Sequence, residues 1–337
     1  MGVNIAELLP KKEIELEDLK NKKIAIDASQ MLYQFLSSIR QPDGTLLMDS
    51  KGNVTSHLMG LSTRITNLMS KGINLVFVFD GKPPKLKFKE QEERALRKTK
   101  AKEKLEKAIK EENIEKMYKY SQQTSRLNEK MIKGSKEFIK ALGLPVIQSP
   151  SEADAQAAFM CEKKDIYAVA SSDSDALIHG SPRLIRNLTL STKRKLSSGI
   201  YIPIKPELIE LKEVLEKLNL KQDQLIALAI LVGTDYNPGG VKGIGPKTAL
   251  KLIHEYKDFG TLFKELKVDF SWKRIFAIYK SMAVMKNYQL NFKEPDFEKV
   301  KKILVDEHDF NEERVDKLLL KLQKEQESKK QKSLSDF

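Results

Sequence analysis

KKIAIDAS, residues 22–29, reads as a short apolar strand from Lys23 to Ala28 that closes on a carboxylate, Asp27. NLVFVFDGKPP (74–84) repeats the pattern, with an apolar run from Leu75 to Phe79 and Asp80 behind it. Further runs lie at Val146 to Gln148 and at Ile166 to Ala170, the second leading into SSDSDAL (171–177) with Asp173 and Asp175. These runs alternate with segments of helical period, which predicts an α/β fold whose central sheet is mainly parallel and flanked by helices. Such sheets bind ligands at the carboxyl ends of their strands, and most of these acids fall there.

Two more stretches add to the set. PSEADAQAA (150–158) supplies Glu152 and Asp154, and LVGTDYNPGG (231–240) supplies Asp235. A single Asp after a strand is commonly a loop or helix-cap residue. The pairs in EAD and DSD differ, because alternate carboxylates on an extended segment point the same way. Two carboxylates about 4 Å apart repel by about 4 kcal/mol at an effective dielectric near 20, so a cluster of them needs cations to persist. Hard divalent metals with oxygen ligands meet that need.

The 337 residues hold 60 Lys+Arg against 47 Asp+Glu, a formal charge of +13. That length can form one large domain or two smaller ones. A basic chain with an acidic cluster points to a polyanion held against metal ions, and nucleic acid leads because counterion release favours basic surfaces on a phosphate backbone. Cys161, the one cysteine, excludes an internal disulfide or Cys-rich zinc site and reads as a small buried hydrophobe. His57, His179, His254 and His308 are dispersed, without metal-ligand spacing. No apolar run is long enough to span a bilayer and the N-terminus lacks a signal-peptide core, so a cytoplasmic protein without membrane contact is expected.

From Lys82 to about Gln123, behind Pro83 and Pro84, the chain carries dense mixed charge. Glu93 to Arg97, Glu103 to Lys107 and Glu106 to Lys110 would support a solvated helix; a basic arch that holds single-stranded backbone over a site is the other reading. RLIRNLTLS (183–191) and SSGIYIPIK (197–205), with KRK at 193–195 between them, read as a hairpin at the sheet edge, where Pro203 is tolerable. Beyond Pro206 helices and loops follow, ending in a charged helix from about Asn311 to Glu327 and a polar tail. In GVKGIGPKTALKLI (240–253), Gly243 and Gly245 form a tight turn whose backbone N–H groups can reach a phosphate, flanked by Lys242 and Lys247. It resembles the helix-hairpin-helix motif, which binds DNA backbone without sequence preference.

The MG start, AIDAS with YQFL, TSHLMG, VFVFDGKPP, PSEADAQAA, SSDSDAL, LVGTDY and GIGPKTA occur together and in order over nearly the whole chain. In this the chain resembles the flap endonucleases of the XPG-like family of structure-specific 5′ nucleases. The resemblance implies a PIN-like 5′ nuclease fold: an N-terminal nuclease region (1–98), a helical arch (82–123), an internal nuclease region (124–258) with the hairpin motif at 240–253, a C-terminal helical part (259–327) and a flexible tail (328–337). It implies two Mg²⁺ ions, with Mn²⁺ as an alternative and K⁺ as a candidate ion at the helix-hairpin-helix. Glu152, Asp154 and Asp173 match positions around one metal; Asp173, Asp175 and Asp235 match those around a second; Asp27 and Asp80 match residues acting through bound water. Lys87 and Arg94 match arch residues that steer the scissile phosphate, Tyr33 an aromatic that stacks on a base, Gly2 a residue packed near the site, and Thr55 the place that receives a short 3′ flap. Tyr33 has a core reading and Thr55 a helix-cap reading beside these.

The implied activity is 5′ flap cleavage with 5′–3′ exonuclease activity, in Okazaki-fragment processing and base excision repair. The implied partners are branched DNA with 5′ flaps and the sliding clamp PCNA, with the nuclease a monomer in the archaeal cytoplasm, associated with the nucleoid. Gln331, Leu334 and Phe337 in QKSLSDF have the spacing of a clamp-binding peptide, although its second aromatic is missing. Two positions depart from the family: Asp154 stands where close relatives carry Glu, and Ser174 replaces a bulkier residue. A non-catalytic DNA scaffold would gain nothing from the carboxylates. A small-substrate phosphatase would not need the hairpin and arch.

Overall fold

The computed structural model describes the backbone of residues 2–189, 193–195 and 200–335. Seven strands form one sheet: β1 (Lys12–Glu13), β2 (Lys23–Asp27), β3 (Asn74–Phe79), β4 (Val146–Gln148), β5 (Ala168–Ala170), β6 (Arg183–Arg186) and β9 (Glu207–Glu210), in the order β1-β9-β6-β5-β2-β3-β4. β2 runs parallel to β3 and β5, β3 to β4, and β5 to β6; only β9, between β6 and β1 at one side, runs antiparallel to its neighbours. The mainly parallel α/β sheet expected from the apolar runs is present.

Those runs are continuous because the central strands are buried on both faces. Ala25, Val76 and Val78 face a core shared with the helix Gln222–Val232, while Ile24, Ile26, Leu75, Phe77 and Phe79 face a second core shared with the helices Ala28–Ser38 and Glu129–Ala141. The chain moves from β2 outward through β3 to β4, then returns to lay β5 and β6 on the other side of β2. The reversal between β2 and β5 opens a crevice at their carboxyl ends, the place where open parallel sheets take ligands.

Several expectations are corrected. Neither EAD nor DSD forms an extended strand: Glu152 precedes the helix Ala153–Glu162 at its N-cap position without a side-chain cap bond, Asp154 lies in the first turn, and Asp175 starts the short helix Asp175–Ile178. The alanine-rich ADAQAA has strong helix propensity, which overrides a strand reading. The expected edge hairpin also resolves differently. Arg183–Arg186 is an interior strand between β5 and β9, while KRK forms β7 (Lys193–Lys195), paired with β8 (Tyr201–Pro203) in a separate two-stranded sheet. β6 is drawn into the main sheet because Leu184 and Ile185 are both fully buried there.

The charged segment forms two helices, Phe88–Lys110 and Ile114–Gln123, packed on each other, with Ala101 and Ala108 buried and Asn113 capping the second. Glu93 pairs with Arg97 at 3.8 Å, but Glu106 pairs with Lys102 at 4.0 Å rather than with Lys110. Such exposed pairs add little. The second helix rests on Ala28–Ser38.

The C-terminal helix is longer than expected, Glu312–Ser335, because nothing in ESKKQKSLS breaks a helix. Gln331 and Leu334 therefore continue a helix instead of forming a separate tail, and Phe337 lies outside the described residues. Among the described residues no helix is long and apolar enough to cross a membrane.

Candidate active site

The acids named from the sequence come together at the carboxyl edge of the parallel strands. Asp27 ends β2, and its side chain accepts from the Gln30 backbone N–H at 3.0 Å, so it caps the following helix as well as facing the crevice. Asp80 follows β3 and accepts from the Ala153 N–H at 2.9 Å, which ties it to the Glu152 loop. Asp173 and Asp175 follow β5. Asp235 reaches the same place from the turn after Gln222–Val232, where Gly233 at φ +116° lets the chain pass against the Gly240 backbone.

Mutual repulsion marks the cluster. Burial, then the charges of Asp80 and Asp173, push the Asp27 carboxyl well above its usual range. Burial, then Asp27, Asp175, Asp173 and Asp80, do the same to Asp154. Asp175 is pushed up to about 7 by burial and by Asp235 and Asp173, against the opposing pull of two hydrogen bonds. Those bonds come from Tyr279 Oη at 3.0 Å and the Val3 N–H at 3.1 Å.

The N-terminus therefore packs directly on the site. A Cβ on Gly2 would lie 1.9 Å from Asp175 Oδ2 and 2.6 Å from Asp173 Cβ, so no larger residue fits without displacing a carboxylate. Gly2 also lines, with Asp173 and Asp235, a cleft of about 440 Å³.

The start of the helix Phe88–Lys110 and the turn before it supply cations. Lys87 Nζ stands 2.7 Å from Glu152 Oε1 and 3.0 Å from Asp235 Oδ2. Burial would discharge this ammonium, but Glu152 and Asp235 more than offset it and hold the proton on. Arg94 reaches Asp235 Oδ2 at 3.4 Å through one terminal nitrogen and binds Glu90 Oε1 through Nε.

Oxygen donors grouped this way fit a hard divalent ion in chemistry, and Asp154 Oδ1 is buried with no hydrogen-bond partner among the described residues. As the side chains stand, no three His, Cys, Asp or Glu among the described residues form a ready cation site. Lys87 already engages two of the carboxylates.

The remaining predicted residues lie apart from the carboxylates. Tyr33 is 38% exposed, which excludes the core reading, and Lys98 Nζ lies 5.0 Å above its ring, so helix and arch meet there. Thr55 precedes the helix Ser56–Gly60 but makes no side-chain cap bond; it is buried and lines a cavity of about 320 Å³ with Met48, Phe310 and Arg314. Gly243, at φ +82°, and Gly245 have open space above them, with Lys242 and Lys247 exposed alongside, while Ile244 packs inward. The hairpin thus presents backbone and cations to solvent. Cys161 is buried, as expected.

Three residues went unnoticed in the sequence. Gln30 donates to Asp173 Oδ2 at 2.9 Å and accepts from the Ser172 N–H at 2.6 Å, linking the ends of β2 and β5. Tyr279 anchors Asp175, and Glu90 anchors Arg94. Gln30 and Glu90 carry a local signal, each sitting three residues after a predicted site residue. Tyr279 carries none.

A parallel sheet with acids gathered at its switch point and two cations beside them suits phosphodiester cleavage, and the chain's similarities place it among the DNA-cleaving nucleases of the XPG class. The XPG N-terminal domain model matches residues 1–101 and the XPG I-region model residues 143–235. Flap endonuclease 1 of Pyrococcus furiosus is 51% identical over 338 residues, covering 100% of this chain and 99% of that protein. The solved flap endonuclease-1 from Methanococcus jannaschii superposes with a TM-score of 0.77 at 44% identity, over 97% of this chain and 100% of that one. The catalytic core of Rad2 in complex with DNA substrate shares the fold, with a TM-score of 0.70 at 22% identity over 94% and 97% of the two chains. The chain belongs to the flap endonuclease family, whose members are structure-specific nucleases.

Proposed function

We propose that this chain removes 5′ flaps from branched DNA by two-metal phosphodiester hydrolysis, with accompanying 5′–3′ exonuclease activity, in Okazaki-fragment processing and base excision repair. The observation that carries the reading is the meeting of Asp27, Asp80, Glu152, Asp154, Asp173, Asp175 and Asp235 with Lys87 and Arg94 from the arch. Glu152, Asp154 and Asp173 would hold one Mg²⁺ or Mn²⁺, Asp173, Asp175 and Asp235 the other, with Asp27 and Asp80 acting through water. Bound, the ions supply an activated water and stabilise the leaving 3′ oxygen. Asp154, one methylene shorter than the Glu of close relatives, would hold its ion directly or through a bound water.

Lys87 gives up Glu152 and Asp235, and Arg94 gives up Asp235, for the scissile phosphate when DNA enters, which aligns it beneath the arch. Tyr33 stacks on a base near the cut, where Lys98 already borders its ring. Thr55 receives a short 3′ flap in its cavity. Gly2 and Val3 brace Asp175. Specificity rests on DNA shape and bending. Matched flap, nicked and single-stranded DNAs, each in Mg²⁺ and in EDTA, test the reading: cleavage near the flap junction, abolished by EDTA, is expected, and metal-independent or single-strand-only cutting overturns it.

The hairpin at Gly243 to Gly245 binds duplex backbone through its N–H groups and Lys242 and Lys247, and a K⁺ ion would supply further positive charge there. The double variant Lys242→Ala, Lys247→Ala should weaken binding equally across unrelated sequences and flatten the log-log salt slope by about 0.9 per lost phosphate contact. An unchanged slope would remove the hairpin from the interface.

Gln331, Leu334 and Phe337 dock on the sliding clamp, with the enzyme itself a monomer. Phe337→Ala should abolish stimulation by the clamp and leave clamp-free cleavage as it was, read in paired assays with and without clamp. Full stimulation of the variant would assign clamp binding elsewhere.

A further inference from the structure

Glu90 sits in the first turn of the arch helix Phe88–Lys110, between the two arch cations in sequence, and that position does not by itself say whether it is solvated, as Glu92 is, or buried. Its surroundings do. The Glu90 side chain is 2% exposed, whereas its partner Arg94, one helical turn on, is 39% exposed. Glu90 Oε1 accepts from Arg94 Nε, and Oε2 is buried without a hydrogen-bond partner among the described residues. A buried carboxylate half satisfied in this way is costly, and an apolar side chain of similar size would hold the helix at least as well. Its place is not explained by stability.

We propose that Glu90 is a positioning residue that fixes the orientation of the Arg94 guanidinium for the scissile phosphate. A guanidinium is a rigid planar fork, so fixing Nε fixes the direction of both terminal nitrogens. With Nε held by Glu90, one terminal nitrogen reaches Asp235 Oδ2 at 3.4 Å, and this outer edge faces the carboxylate cluster. An incoming phosphate competes with Asp235 for the exposed edge, while the Glu90 carboxylate, nearly buried and of like charge, does not bind it. The fork then passes from carboxylate to phosphate without losing its aim, and its side-chain entropy is lost before substrate arrives. Glu90 lines the same cleft as Asp173 and Asp235, which places the anchor beside the site without making it a group that touches the phosphate.

The inference rests on the assignment of Arg94 to the scissile phosphate. It is tested by a double-mutant cycle on the full chain, with single-turnover cleavage of a 5′ flap DNA and equilibrium binding of the same DNA as paired readouts. Glu90→Gln keeps size and an acceptor oxygen but removes the charge that holds Nε. It should lower the single-turnover rate by between about 10-fold and about 100-fold, with flap affinity within about threefold of wild type. In an Arg94→Ala background the same substitution should cost nothing further. Should Glu90→Gln fail to fold, Glu90→Leu replaces it in the cycle with the same expected result. If the Glu90 loss persists undiminished in the Arg94→Ala background, or if Glu90→Gln cleaves at the wild-type rate, the positioning role is overturned. If Arg94→Ala itself cleaves normally, the phosphate assignment fails first and takes this inference with it.

Discussion

Asp173→Ala is expected to lower Mg²⁺-dependent flap cleavage by about 10³-fold or more while leaving flap binding intact or slightly tighter. Asp173 is the centre of the cluster. Its charge contributes to raising the carboxyls of Asp27, Asp154 and Asp175 together, so it lies within reach of all three. It is also the one side chain assigned to both ions, and its loss opens both coordination shells at once. Binding should not suffer, because removing a negative charge from a DNA-facing site relieves repulsion with phosphate. Single-turnover cleavage and fluorescence anisotropy on one flap substrate separate the two effects, and cleavage within a few fold of wild type would remove Asp173 from the chemistry.

Lys87→Met should lower the single-turnover rate by about 10² to 10³-fold, with affinity reduced by no more than the loss of one phosphate contact. The ammonium is buried between Glu152 and Asp235, whose charges keep it protonated. A cation held there by carboxylates is poised to stabilise charge that develops on a phosphate in the same place, so its contribution falls on the transition state rather than on binding. Met keeps the length and apolar stem. Equal losses in affinity and in kcat/KM, with an unchanged rate at saturation, would reduce Lys87 to a surface charge that gathers DNA.

The carboxylates were legible because each follows a dense apolar run, and in a parallel sheet the end of such a run marks one edge in space. Asp27 behind KKIAI and Asp80 behind NLVFVF needed no tertiary information to be placed together. EAD and DSD reached the right place for a different reason from the one their spacing suggested, since helix starts, not pleated strands, aim these side chains. The hairpin glycines were legible because a tight turn between two helices favours residues without a side chain: Gly243 takes φ +82°, and both glycines face open space.

Other parts were not. RLIR became an interior strand and KRK a strand of its own, because pairing partners compete and the winner depends on which apolar faces can be buried together. The last helix runs on to Ser335 because a polar stretch without Gly or Pro keeps its helix propensity, whereas polarity alone reads as a tail.

An α/β order of elements, the edge at which acids gather, a basic surface and the exposed hairpin all follow from periodicity, charge and glycine placement along the chain. These are properties of neighbours in sequence. Which cation faces which carboxylate, why Gly2 admits no side chain, and the anchoring of Asp173 by Gln30, Asp175 by Tyr279 and Arg94 by Glu90 depend on groups as much as 173 residues apart. A polar side chain on a helix reads as solvated until packing buries it, and only then does its need for a partner tie it to the site.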